Sequence, residues 1–477
     1  MTINETNETN ETTALNALSA TALLDLYARK ALSPVEVTRA VLSQMEAWEP
    51  HIHAAYALDT QRALAMARES EARWQRGAPQ GALDGVPVTI KENIATQGVP
   101  VPLGCAATEL VPAAKDAPPA ARLREAGAVF LCKTTMPDLG MLGAAMSSFH
   151  PLTRNPWDLS RNTGGSSSGA GAAAAAGYGP LHVGTDIGGS VRGPAGFCGI
   201  FGLKPSLGRI PIDPPYAARV AGPMTRTVAD AALMMRVLSQ PDARDHMSLP
   251  YQAIEWNRLD RSLKGLRIGL WLELDCGIAL DPDVREAVER AARAFEAAGA
   301  VVEPIRPWIE PGMLEGISRF WAMRTRMDLS ALPEARRAKA SPAIQWAVQK
   351  SQEVSAEQLY KAHAQGLALR AATVAATRDF DYVLSPVFPQ PAFGAEQTHV
   401  EYEGVEPIHQ ASFTIVYNFS EQPAASVNCG YAADGMPIGL QIAGRRFDDL
   451  GVLQMARAWE EMRPAQRPWP QPPRTAA

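Results

Sequence analysis

Apolar residues recur along this chain in two patterns, one of helical period and one of short unbroken runs, and the two alternate. Leu18, Leu23, Leu24 and Tyr27 keep helical spacing within Ala14 to Arg29, as an amphipathic helix requires. Ser33-Pro34-Val35-Glu36 reads as a capping box with proline at the first helical position, opening a helix to about Trp48. Thr60 to Arg76 predicts another exposed helix. Val86 to Ile90 is a short apolar run that predicts a buried strand, with Lys91 at its C-terminal end. Further helices are predicted at Pro119 to Ala126, Ala170 to Gly177, Val228 to Ser239, Pro282 to Ala298 and Leu450 to Met462. Strands are predicted between them at Val129 to Lys133, Leu181 to Gly184, Leu266 to Trp271, Val301 to Pro304, Tyr382 to Pro386 and Pro437 to Ile442. Residues 305–380 read as mostly helical from Met313 onward. Such alternation predicts a layered α/β fold with a largely parallel or mixed sheet.

No internal repeat or clear linker interrupts this pattern, which favours one large domain. Residues 1–13 carry an Asn-Glu-Thr repeat and read as a disordered acidic-polar tail. Residues 14–80 read as N-terminal helices packed on the core, 81–462 as the main domain, and 463–477 as a proline-rich surface tail. The composition, 46% hydrophobic and 20% charged, is that of a soluble globular protein. A formal net charge of −5 gives no reason to expect nucleic acid or an anionic membrane as partner. There is no signal-peptide pattern and no uninterrupted apolar stretch of about 18 residues, so a cytoplasmic protein is expected. The five cysteines include no CxxC pair, so neither a zinc site nor a disulfide framework is indicated.

Candidate chemistry concentrates in two glycine-rich runs and a lysine. Gly184-Thr185-Asp186-Ile187-Gly188-Gly189-Ser190-Val191-Arg192 places a serine at the end of backbone N–H groups that no bulky side chain covers. Gly164-Gly165-Ser166-Ser167-Ser168-Gly169 flows directly into Ala172 to Ala176, and so reads as a tight loop at a helix N-terminus, not a flexible linker. The phosphate-loop pattern GxxxxGK[ST] is absent, and no strand leads cleanly into the glycines as a dinucleotide site would need. A Ser-His-Asp hydrolase would require G-x-S-x-G, but Val191-Arg192 follows Ser190. His182 lies in the apolar run Leu181-His182-Val183 and reads as a buried, satisfied histidine. Cys198 as a nucleophile would need a nearby base to make a thiolate, and no histidine is placed there. What remains is a serine–lysine mechanism. Lysine acts as a base only when neutral, so Lys91 must be desolvated far enough to lower its pKa by several units from about 10.4. A lysine reaching out to solvent is the competing possibility.

These residues resemble the amidase signature hydrolases, over about Leu83 to Glu460. The resemblance rests on Gly85-Val86-Pro87-Val88-Thr89-Ile90-Lys91-Glu92-Asn93, Thr153-Arg154-Asn155-Pro156-Trp157, the two glycine-rich runs, Phe197 to Pro205, and Gly435 to Gln441. It implies the fold of that family, a large mixed β-sheet flanked by helices on both faces. It implies Ser190 as nucleophile, Ser166 as bridging serine, Lys91 as terminal base and acid, and the amides of Ile187, Gly188, Gly189 and Ser190 as the oxyanion hole. Thr185, Asp186, Arg192 and Gly165 then support the site, and a cis peptide precedes Ser166. No metal or organic cofactor is required. The chain departs from the family at Ser168, where glycine is usual, and at Ala170, where a hydroxyl is usual.

The resemblance leaves the substrate to loops outside these motifs. Met136 to Ser147, Phe388 to Phe393 and Phe413 to Phe419 are candidate pocket segments, with Met141, Met146, Phe388 and Phe393 as candidate wall residues. A plain core role is the alternative for each. If they line the pocket, bulky uncharged amides, anilides or aryl carbamates are the expected substrates, processed by a monomer or homodimer. Two other classes stay open. One is the amidotransferase component that amidates mischarged transfer RNA within an ATP-dependent complex. The other is a catalytically dead binding protein.

Overall fold

A computed structural model describes residues 15–275, 278–310, 312–401 and 405–473. The acidic-polar tail at 1–13, Cys276 and the last four residues lie outside them. In chain order the strands are β1 (Ala55–Tyr56), β2 (Pro87–Lys91), β3 (Val129–Thr134), β4 (Arg154–Asn155), β5 (Asp158–Asn162), β6 (Leu181–Asp186), β7 (Phe201–Lys204), β8 (Val220–Thr225), β9 (Arg267–Leu270), β10 (Val301–Pro304), β11 (Tyr382–Pro386), β12 (Ala424–Tyr431) and β13 (Pro437–Gly444). Strands β4 and β5 form a separate hairpin; the other strands make one 11-stranded sheet in the order β1-β3-β2-β6-β8-β7-β12-β13-β11-β9-β10. Neighbours β3, β2 and β6 are parallel, as are β11, β9 and β10, and an antiparallel block joins these two groups. The sheet is therefore mixed, and helices cover it.

The predicted elements return with ends shifted by a few residues, as fraying termini allow, except the first helix, which begins at Ala20 behind the Ser19 cap and not at Ala14, so that Leu18 lies outside it. The capping box at Ser33 forms in full and opens the helix Pro34–Ile52. Three strands at the centre of the sheet, β7, β8 and β12, had no strand signal in the sequence. Their residues are rich in glycine, alanine and proline and show no clear alternation. Strands covered on both faces need none, and pairing alone defines them. The long insertion after β10 is helical as expected, with helices Met313–Ser330, Pro342–Ser351 and Ala356–Thr377.

The core follows from burial of the apolar positions of sheet and helices together. Leu23, Tyr27, Met45 and Trp48 of the N-terminal helices pack in the same cluster as Val86, Val88, Ile90 and Val183. The proline-rich end is also tied down through Trp469: the Arg226 guanidinium sits over its ring at 4.4 Å, and Trp157 lies 6.0 Å from it. Among the described residues no helix is long and apolar enough to cross a membrane.

Candidate active site

The parallel strands β2 and β6 run side by side, with Ile90 paired to Val183. Both strands leave the sheet at the same end. Lys91 closes β2 and Asp186 closes β6, so the two sequence motifs meet where parallel strands stop.

Lys91 is wholly buried. Its Nζ donates to Ser166 Oγ at 2.7 Å and to Ser167 Oγ at 3.0 Å. Burial pushes its pKa well below the ordinary lysine value, and the Arg219 charge pushes the same way; Asp186 and Glu92 oppose them. Two further lysines are buried and pushed down to about 7 by desolvation, but neither reaches a serine. Lys133 donates to the Ile94 carbonyl and to Thr96 Oγ1, and Lys204 to the Pro205 carbonyl.

The first glycine-rich run carries Ser166 inward. The Gly165–Ser166 peptide is cis. A Cβ on Gly165 would stand 2.5 Å from the carbonyl oxygens of Leu142 and Ala144, so only glycine fits. The Ser167 N–H donates to the Ser190 carbonyl at 3.1 Å, which stitches the two serine loops together. Ser167 Oγ also donates to the Thr185 carbonyl at 3.1 Å. The two departures from the family pattern point away from this junction. Ser168 Oγ donates to the Thr135 carbonyl at 3.3 Å, and Ala170 is buried against Ala174, Ala195 and Cys198.

The second run wraps around the Asp186 carboxylate. It accepts from the Gly189 N–H at 2.8 Å and the Val191 N–H at 3.0 Å. Gly189 has φ +121°, and a Cβ there would meet Thr414 Oγ1 at 2.4 Å. Arg192, also wholly buried, grips Asp186 with Nε at 3.1 Å and Nη2 at 2.9 Å. It donates further to the Thr414 carbonyl, Gln441 Oε1 and Asn418 Oδ1 at 2.6–2.8 Å. Burial acts to raise the Asp186 pKa, but the Arg192 charge and these hydrogen bonds hold the carboxyl below the usual range. One ion pair thus ties the Ser190 turn to β13 and to the helix Ser412–Phe419. With Gly189 committed to Asp186, the amides of Ile187, Gly188 and Ser190 have no hydrogen-bond acceptor among the described residues.

A cavity of about 560 Å³ opens onto Ser190 and these amides. Of the four candidate wall residues, Met141 and Phe388 line it, and Met146 and Phe393 do not. Phe393 instead packs 5.8 Å from Phe197, in a cluster behind Phe388. Phe413 to Phe419 is mainly core, because its helix faces the cluster around Trp271, Leu314 and Leu369. The opposite wall comes from the helical insertion: Trp321 from one helix, Ile344, Trp346 and Ala347 from the next, with Ile408 beyond them. Among the described lining residues, Lys350 is the one lysine, arginine or carboxylate side chain. It is paired with Glu406 at 2.7 Å.

The two competing side chains weighed in the sequence are both held away from such chemistry. His182 is buried, hydrogen-bonded to Thr89 Oγ1 at 2.8 Å and the Gly179 carbonyl at 3.0 Å, and burial lowers its pKa to about 3. Burial pushes the Cys198 thiol far up, so it stays protonated. Sequence reasoning missed Ser167, Asn418, Thr414 and Gln441 as site residues. A usable signal existed for two of them: Asn418 and Gln441 interrupt apolar runs, and a buried polar side chain there must find a hydrogen bond.

The profile of the family described as Amidase matches residues 36–453, so the N-terminal helix from Glu36 onward belongs to the match. An acylamidase of Rhodococcus erythropolis is 34% identical over 93% of this chain and 95% of its own length. A Glutamyl-tRNA(Gln) amidotransferase subunit of Heliobacterium modesticaldum is 32% identical over 93% of this chain and 96% of its own length. The crystal structure of a bacterial aryl acylamidase superposes with a TM-score of 0.87 at 29% identity, covering 93% of this chain and 96% of that one. With the sheet and the serine–lysine junction described above, these matches establish that the chain belongs to the amidase signature family, whose hydrolases act on amide C–N bonds.

Proposed function

We propose that this enzyme hydrolyses uncharged, bulky or aryl amides, with aryl carbamates and esters as secondary substrates, through Ser190, Ser166 and Lys91. The apolar cavity at Ser190 carries this reading, since it matches an aryl or branched acyl group in size and chemistry. Neutral Lys91 takes a proton from Ser166 Oγ as Ser166 takes one from Ser190 Oγ. Ser190 Oγ bonds to the substrate carbonyl carbon, and the carbonyl oxygen becomes an oxyanion facing the free amides of Ile187, Gly188 and Ser190. Each such donor contributes about 2.7–4 kcal/mol to the transition state. The Gly189 N–H instead holds the Asp186 carboxylate and so fixes the turn. The C–N bond breaks as the relay returns the proton to the leaving nitrogen. Water then repeats the sequence on the acyl-enzyme, releasing the acid and restoring neutral Lys91.

A glutamine-using amidotransferase role is the second reading, supported by relatives of that kind at similar identity. Glutamine brings an ammonium and a carboxylate to the site; among the described lining residues no carboxylate faces the ammonium, and Lys350 is already held by Glu406. The test is a panel of anilides, aliphatic amides, peptide amides, carbamates, esters and glutamine, ranked by kcat/KM on the isolated protein. Anilides should lead. A preference for glutamine, or turnover only with partner proteins and ATP, overturns the proposal.

A further inference from the structure

The helix Ala356–Thr377 is apolar on two opposite faces. One face, Ala362, Gly366, Leu369, Thr373 and Thr377, is buried against the helix Met313–Ser330, which carries Trp321 into the cavity. The other carries Tyr360, Ala364, Leu367, Ala371 and Val374, all exposed; Tyr360, Leu367 and Val374 are 74%, 54% and 46% exposed. Their spacing alternates four and three residues, and Arg378 continues it just past the helix end. That is the seam spacing of helices packed side by side. A helix apolar all round is a buried helix. Between Ala362 and Thr377, none of the exposed positions on this helix is charged.

We propose that this seam is the interface of a homodimer, in which two copies of the helix pack antiparallel about a two-fold axis between Leu367 and Ala371. The seam is its own complement in that register. Leu367 meets the partner's Ala371, and Ala364 meets the partner's Val374, so each layer sets a large residue against a small one. Tyr360 meets the partner's Arg378, a guanidinium over an aromatic ring. Each pairing occurs twice by symmetry, as an isologous interface demands. The charged Lys361 and Glu357 pair with each other at one end of the seam and leave its centre apolar. Pairing also braces, through its buried face, the helix that carries Trp321. This inference does not depend on which amide is cleaved.

Sedimentation velocity on the full chain at micromolar concentration tests it. Wild type should sediment as a dimer, and Leu367→Glu and Ala371→Glu as monomers with unchanged far-UV circular dichroism. Under mild oxidation the Leu367→Cys/Ala371→Cys double variant should cross-link to a covalent dimer, whereas Leu367→Cys alone should not. A monomeric wild type, a dimer that survives both glutamate variants, or equal cross-linking of Leu367→Cys alone overturns the proposal.

Discussion

The floor and the wall of the cavity are built by opposite means. The floor, Ile187 to Ser190, rests on a polar, buried and hydrogen-bonded layer: Lys91, Ser166, Ser167, Asp186 and Arg192 lie behind it at the ends of strands or in tight turns held by the sheet. The wall is apolar and partly exposed, and helices outside the sheet supply its Trp321, Ile344 and Trp346. Groups that must move a proton need fixed partners and low dielectric, which a sheet edge under a helix provides. Groups that only select a substrate need shape and apolar surface, which an inserted helical segment can change without disturbing the chemistry.

The largest effect is expected at Ser190, the proposed nucleophile. Ser190→Ala should lower kcat for a good anilide by a factor on the order of 10⁴ or more with the fold kept, as seen by circular dichroism. Wild-type turnover in that variant would remove Ser190 from the chemistry. Next in size is the frame. Arg192→Ala leaves Asp186 buried and unpaired, and should cost about 3–5 kcal/mol in denaturant unfolding. A loss below about 1 kcal/mol would mean that water replaces the guanidinium.

The wall should respond differently. Trp346 is 55% exposed, so Trp346→Ala should leave the unfolding midpoint nearly unchanged. It should lower kcat/KM for bulky anilides by roughly tenfold, about 1.4 kcal/mol of lost contact, and spare small acetamides. An equal loss on both substrates would assign Trp346 to the floor. The smallest effect tests the electrostatics. Activity should fall on acidification as Lys91 gains its proton, with the limb well below the ordinary lysine pKa. The Arg219 cation lowers the Lys91 pKa, so Arg219→Gln raises it, and the acid limb of kcat/KM should move to higher pH with the alkaline plateau retained. A limb that stays in place would show that burial alone sets the lysine.

The floor was legible because its chemistry demands particular residues at particular places. Glycines at 165 and 189 mark close approach and unusual backbone; a lysine ending an apolar run is open to burial or to solvent, and the fold buries it. Even there, reading was incomplete. All four amides from Ile187 to Ser190 looked alike in the sequence, and only the fold turned the Gly189 N–H toward Asp186. The wall was barely legible, because an apolar residue in a helix looks the same whether it faces a cavity or a core. Met141 and Phe388 reach the cavity, while Met146 and Phe393, chosen by the same reasoning, do not.

By itself the sequence determined the α/β alternation, the cap at Ser33, the buried strand ending in Lys91 and the two serine turns. Those features rest on local periodicity, turn chemistry and residue-specific backbone demands. Tertiary structure decided the rest: β7, β8 and β12, defined by pairing and not by pattern; the Arg192 network, whose partners are more than two hundred residues away in the chain; and the cavity wall. The physical reason is common to all three. Burial and hydrogen-bond partnership belong to pairs of segments, and a single segment carries only its own half.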